Sequence, residues 1–176
     1  GKRHPITDWY QEMGLERVRS YAKYIPNGVF QCDDQRIALF LHHLWATDGN
    51  ISWKKLKNRK PAAAIYYASS SYKLASQVKA LLLRMGILST IRQVNQGKHR
   101  DNYHVLIQGR DMQLLFLEKV GCHGLRGKIC QELIEALSEI KTNTNLDIIP
   151  SDIWANQIKP SLKQKGISQR QFCDLL

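Results

Sequence analysis

Leu41-His42-His43-Leu44-Trp45-Ala46-Thr47-Asp48-Gly49 closes the segment on which the fold turns. Ile37, Phe40, Leu41, Leu44 and Trp45 stand at the i, i+3, i+4, i+7, i+8 spacing of one helix face, and Ala38 and Leu39 widen it. Asp33-Asp34 is a helix start, because a short carboxylate accepts from the free N–H groups of a first turn. Gly49 reads as the stop, a glycine just past the helix cap. The segment is therefore a helix with one apolar side, ending in Asp-Gly.

Outward from that helix the period changes. Residues 51–56 and 63–68 read as short strands, the second favoured by Tyr66 and Tyr67, with a basic turn at 57–61 between them. Ser69-Ser70-Ser71 caps a helix over 72–85, whose stripe is Leu74, Val78, Leu81, Leu82 and Met85 and whose end is Gly86. Strands at 88–94 and 103–108 flank a polar loop at 95–102. A third helix runs from Asp111 to Val120, residues 121–127 break it, and another helix covers 128–140. The order α-β-β-α-β-β-α predicts an α+β domain, hairpins with helices on one face.

The chain divides into a lead-in segment at 1–33, this domain at 34–140 and a helical extension at 141–176. The lead-in carries a short helix capped by Thr7 or Asp8, then a turn at Ile25-Pro26-Asn27-Gly28. In the extension, Pro160 must bend or interrupt a helix over 152–165, and Ser168 caps another over 169–176. Two short helices about a glycine turn fit a helix-turn-helix start and equally an ordinary packed pair.

Composition narrows the function. A chain of 176 residues, 43% hydrophobic, can bury one good core and a small appendage. Lys and Arg total 26 against 15 acids, a net charge of +11, which favours a polyanion such as nucleic acid. A membrane is not the expected partner: no apolar run approaches the roughly 20 residues needed to span one, and the cations are not gathered on one amphipathic helix. The first residues have no apolar stretch behind them, so an intracellular, cytoplasmic location is expected. The leading glycine and the missing Met suggest a piece excised from a longer chain, or a residue left by a tag. Four scattered cysteines without a C-x-x-C pair read as reduced thiols rather than a zinc site. Walker and G-x-G-x-x-G loops are absent, leaving nucleotide hydrolysis without support.

Residues 41–49 resemble the LAGLIDADG motif of homing endonucleases. Leucines stand at the first and fourth places, Asp-Gly closes the stretch, the motif ends an apolar helix, and the surrounding α-β-β-α-β-β-α order is similar to the family core. The likeness covers about residues 34–140. Lys23-Tyr24-Ile25-Pro26-Asn27-Gly28-Val29-Phe30 resembles the lead-in before the second motif copy of endonucleases embedded in inteins, and Asp147-Ile148-Ile149-Pro150 resembles the segment after it. The chain thus resembles the second half of an intein endonuclease, with a bacterial replicative helicase as the host suggested. It departs from the family at His42 and His43, where small residues are common, and at Ala46. It holds one motif copy.

The resemblance implies site-specific, Mg²⁺-dependent cleavage of double-stranded DNA. Two hard cations held by carboxylates activate water and stabilise the departing oxygen, and Asp48 is this chain's expected metal ligand and catalytic carboxylate. The second carboxylate would come from a homodimer or from a first half of the enzyme. Lys98 is the positional match for a catalytic lysine, against a plain solvated loop residue. Leu41, Leu44 and Trp45 are the expected contacts between paired motif helices. For DNA binding, Lys54, Lys55, Lys57, Arg59 and Lys60 cluster in the first hairpin beside Trp53, and Arg92, Gln93, Asn95, Gln96, Lys98 and Arg100 in the second. Arg, Gln and Asn suit base edges and Lys suits phosphates. Two other readings remain: a non-catalytic DNA-binding module or transcription regulator, and a decayed endonuclease within an intein.

Overall fold

The computed structural model describes residues 4–54, 62–98, 100–140 and 151–174. The chain forms two compact units, Gly1–Thr142 and Asn143–Leu176. The expected basic turn at 57–61, including Lys57, Arg59 and Lys60, lies outside the described residues, as do Lys55 and residues 141–150.

The first unit opens with α1 (Pro5–Glu12). Neither Thr7 nor Asp8 caps it. His4 does, through a ring nitrogen that accepts from the Ile6 amide, with a proline in the first turn where a missing N–H costs nothing. A short helix α2 (Asn27–Phe30) leads into α3 (Asp34–Asp48), the motif helix. Asp33 is its N-cap and accepts from the Arg36 amide. After it come β1 (Gly49–Lys54), β2 (Ala62–Ser69), α4 (Tyr72–Arg84), β3 (Thr90–Val94), β4 (Asn102–Ile107), α5 (Arg110–Lys119) and α6 (Leu125–Ser138). The predicted αββαββα core is present in order, with a further helix after it: the fold is α+β.

The strands form one antiparallel sheet in the order β1-β2-β4-β3, so the two hairpins meet at β2 and β4. Ile65 and Tyr67 of β2 face Ile107 and Val105 of β4, and all four are buried. Their side alternates with a second, outer face, because successive strand residues point to opposite sides. The helices meet the inner face. Ile37, Leu41 and Trp45 of α3 are fully buried there with Phe116 of α5, and the Trp45 ring lies 4.7 Å from Phe116 and 5.6 Å from Tyr67.

Gly49 stops α3, but not by a left-handed turn. Its backbone is extended (φ −81°, ψ 159°). The need for glycine is one of space: a Cβ there would sit 2.4 Å from Cδ1 of Trp45. The helix passes straight into β1 because nothing larger fits between indole and strand.

The end of the lead-in is built into the domain. Ile25 is 1% exposed, and Gln77 of α4 bonds both its amide and its carbonyl. Arg84 donates to the carbonyls of Phe30 and Cys32, each at 2.7 Å. The same helix that covers the sheet thereby holds the approach to α3.

The second unit contains α7 (Ser151–Ile153), a π-helical stretch at Trp154–Ile158, α8 (Lys159–Gln164) and α9 (Gln169–Cys173). The widened turn immediately precedes Pro160, which has no N–H for a regular helix bond. Ser168 and Gln171 form a reciprocal capping box at the start of α9.

Candidate nucleic-acid interface and motif-helix end

The last turn of α3 is held from two sides. The Gly49 amide donates to Trp45 O. From α6, Nη1 of Arg126 donates to Trp45 O at 2.9 Å and to Ala46 O at 2.6 Å. A cation on terminal carbonyls adds to the single cap bond at Trp45 O, supplies a donor to Ala46 O, and opposes the negative end of the helix dipole. Asp48 is the last helical residue and is solvent-exposed. Its charge is felt inside the protein: burial first, and then Asp48, push the Tyr67 phenol far above its ordinary range.

Asp48 is a single carboxylate. Among the described residues no group of three His, Cys, Asp or Glu side chains is placed to hold a metal ion.

The expected helix contacts divide. Leu41 and Trp45 are 0% exposed within their own core, so neither has surface left for a second motif helix. Leu44 is partly buried against the same core. The side of α3 turned outward carries Leu39, which is 57% exposed, together with exposed His43 and Thr47. A stripe of apolar residues on a two-sided helix cannot serve both sides, and the sheet takes the larger share. The two histidines also separate. The Nδ1 of His42 lies 2.7 Å from Val120 O at the end of α5, whereas His43 faces solvent. His123, from the turn before α6, brings its ring within 5.1 Å of His42 and 5.2 Å of His43.

The expected DNA-binding residues scatter by strand parity. Arg92 pairs across from His104 on the outer face. Gln93 has the opposite parity and donates to Asp101. Lys54, exposed at the end of β1, shares the outer face with Ala62 opposite it. Trp53 points the other way and packs on the core. In the loop after β3, Asn95 accepts from the Gly97 amide at 2.7 Å, and Gln96 and Lys98 are exposed. The Arg100 guanidinium lies over the Tyr21 ring at 4.0 Å, a cation–π contact that ties this loop to the lead-in.

Residues 35–121 match the family described as LAGLIDADG-like domain. They belong to that family. Domains of this family are generally DNA-binding modules of the homing-endonuclease type and often work as dimers or in pairs. Asp48 stands at the eighth place of its motif, at the exposed end of the helix.

The LAGLIDADG-like chain is similar to stretches of larger proteins. Replicative DNA helicase DnaB of Rhodothermus marinus is 43% identical over 174 residues, 98% of this chain and 18% of that protein. The protein of the same name from Synechocystis sp. is 40% identical over 173 residues, 97% of this chain and 20% of that protein. Protein RecA of Mycobacterium tuberculosis is 29% identical over 154 residues, 79% of this chain and 19% of that protein. The chain spans about a fifth of the length of each. Among the described residues no helix is long and apolar enough to cross a membrane.

Three residues were not singled out from the sequence. Arg126 lies within the break at 121–127, where nothing local marks it as a partner of α3. Tyr66 and His104 were legible in principle. Tyr66 alternates with Ala64 and Ala68, so a period-two reading places it on the face opposite buried Ile65 and Tyr67.

Proposed function

We propose that the chain is half of a site-specific double-stranded DNA endonuclease acting inside the cell in intein homing. The carrying observation is Asp48, an exposed carboxylate on the last residue of a motif helix whose end is held by Arg126. A binding surface alone has no use for that carboxylate. The intein setting is supported by the relatives: one stretch resembles part of DnaB proteins and part of RecA, proteins of different names, as an inserted element would.

A bound divalent cation such as Mg²⁺ supplies water activation and charge neutralisation in phosphodiester hydrolysis. With one carboxylate, this chain needs a second copy or a preceding half to complete the site. Lys98, exposed in the loop after β3, is the proposed polarising cation, and Lys54 and Arg92 are proposed DNA contacts; Lys55, Lys57, Arg59 and Lys60, outside the described residues, are proposed contacts on sequence alone.

The test uses a duplex spanning the uninterrupted insertion point of the host coding sequence, with Mg²⁺, and the chain's mass measured by light scattering. The reading expects salt-sensitive duplex binding, cleavage where two carboxylates are brought together, and loss of cleavage with retained affinity in Asp48→Asn. Cleavage that survives Asp48→Asn, or a chain that ignores duplex DNA at low salt, overturns it. Binding by a monomer without cleavage reduces the chain to a binding module.

A further inference from the structure

The outer face of the sheet has a distinct relief. On β2, Ala62, Ala64 and Ala68 point outward, so that strand is low, while Leu106 of the neighbouring β4 shares the face opposite Tyr66. Asn50 and Lys54 of β1 stand on one side, and Arg92 of β3 stands on the other. One residue interrupts the row of alanines. Tyr66 stands where a fourth would be, and its ring stacks on His104 of β4 with centroids 4.8 Å apart and planes 5° from parallel. His104 is flanked in register by Ala68 and by Arg92. A stacked tyrosine and imidazole thus stand beside an arginine at the next register position of the same face.

The chemistry of the three is complementary. Arg92 offers a planar fork of donors, the fit for the N7 and O6 of guanine. The His104 ring, half-buried between Tyr66 and Arg92, is held below the ordinary histidine range, first by burial and then by the guanidinium. It is therefore neutral near pH 7 and presents a directed N–H rather than a second diffuse charge. The Tyr66 ring beneath it fixes its plane. Alanines on either side let a duplex approach closely enough for these groups to reach base edges rather than phosphates.

We infer that Tyr66, His104 and Arg92 form a single sequence-reading patch that sets a guanine preference at one or two adjacent base pairs. This rests on the DNA-binding reading above. Arg92 and His104 contact the base, and Tyr66 is a positioning residue that acts through His104.

The test is selection of the full chain on a randomised duplex library, followed by the same selection for Arg92→Ala, His104→Ala, Tyr66→Ala and Tyr66→Phe. Thermal melting checks that each variant is folded. The expected result is a guanine preference in the wild type that falls on the order of tenfold in Arg92→Ala and His104→Ala, at the same base pairs. Tyr66→Ala follows His104→Ala, and Tyr66→Phe, which keeps the ring, behaves as wild type. Binding of Tyr66→Ala and His104→Ala to an unrelated duplex keeps its affinity and salt slope. Variants that retain the wild-type preference, or weaken all sequences equally, overturn the patch and leave the DNA-binding reading standing. So does a wild type that binds duplex but enriches no sequence. A wild type that binds no duplex at low salt overturns both.

Discussion

The motif helix and the outer face of the sheet are placed by opposite strategies. Helix α3 is over-determined: Asp33 caps its start, Ile37, Leu41 and Trp45 bury one side completely, and Arg126 and Gly49 hold its end. The outer sheet face has no such redundancy. Its distinctive groups are a few long side chains raised above alanines, and their mutual contacts are a stack and a charge beside it. A chemical group that must sit at a fixed point belongs on the first kind of element. A surface that must follow changing partners is better built on the second, where one substitution alters reading without moving the backbone.

The largest effect that would break this contrast lies within α3 itself. Trp45→Ala removes the side chain that touches Tyr67, Phe116 and the Gly49 backbone, and is expected to cost about 3–5 kcal/mol. Leu39→Ala, on the outward side of the same helix, is expected to change stability by less than about 0.5 kcal/mol. Denaturant unfolding of both variants measures the difference. Equal losses would mean that the outward side is covered in solution, and the oligomeric state would then have to be re-examined.

Arg126 gives the intermediate case. Arg126→Met keeps much of the aliphatic packing but takes the Arg126 donor from Ala46 O and leaves Trp45 O with the Gly49 amide, at about 1–2 kcal/mol. Arg126→Lys should recover part of this, since an ammonium donates to one carbonyl well and to both only with strain. Amide hydrogen exchange should localise the loss to the last turn of α3. Faster exchange spread evenly over the sheet would show that Arg126 supports the whole fold rather than the end of the motif helix.

What was legible in the sequence follows from the same contrast. Element order was readable because helix and strand periods differ and because Asp33, Ser71 and Gly86 punctuate them. Asp48 was readable because motif and helix end coincide. Facing was harder to read. Leu41 and Trp45 were assigned to a helix partner because the apolar stripe of α3 says that a side is covered, not by what. Arg92 and Gln93 were grouped because adjacency in a basic stretch hides the alternation that puts them on opposite faces. Gly49 was read as a backbone stop, whereas the indole of Trp45 dictates it. Arg126 needed the tertiary fold, since its partners lie 80 and 81 residues away.

The smallest expected effect sharpens the sheet side of the comparison. The unfolded chain takes up a proton at a histidine near pH 6.5, its ordinary value. In the folded domain His104 takes one only at lower pH, because of burial and Arg92. Below about pH 6.5 the unfolded state therefore binds more protons at this site, and stability falls with pH through the window down to the folded value. His104→Gln removes that window and flattens the acid-side slope of the stability curve. Arg92→Met should flatten it in part, by removing the second cause and leaving the first. The check is urea unfolding of wild type and both variants at several pH values between 7 and 5, taking differences so that the other histidines cancel. An unchanged slope in His104→Gln would mean that the imidazole titrates alike in both states. The half-buried stack on Tyr66 would then be too loose to hold a ring against a base.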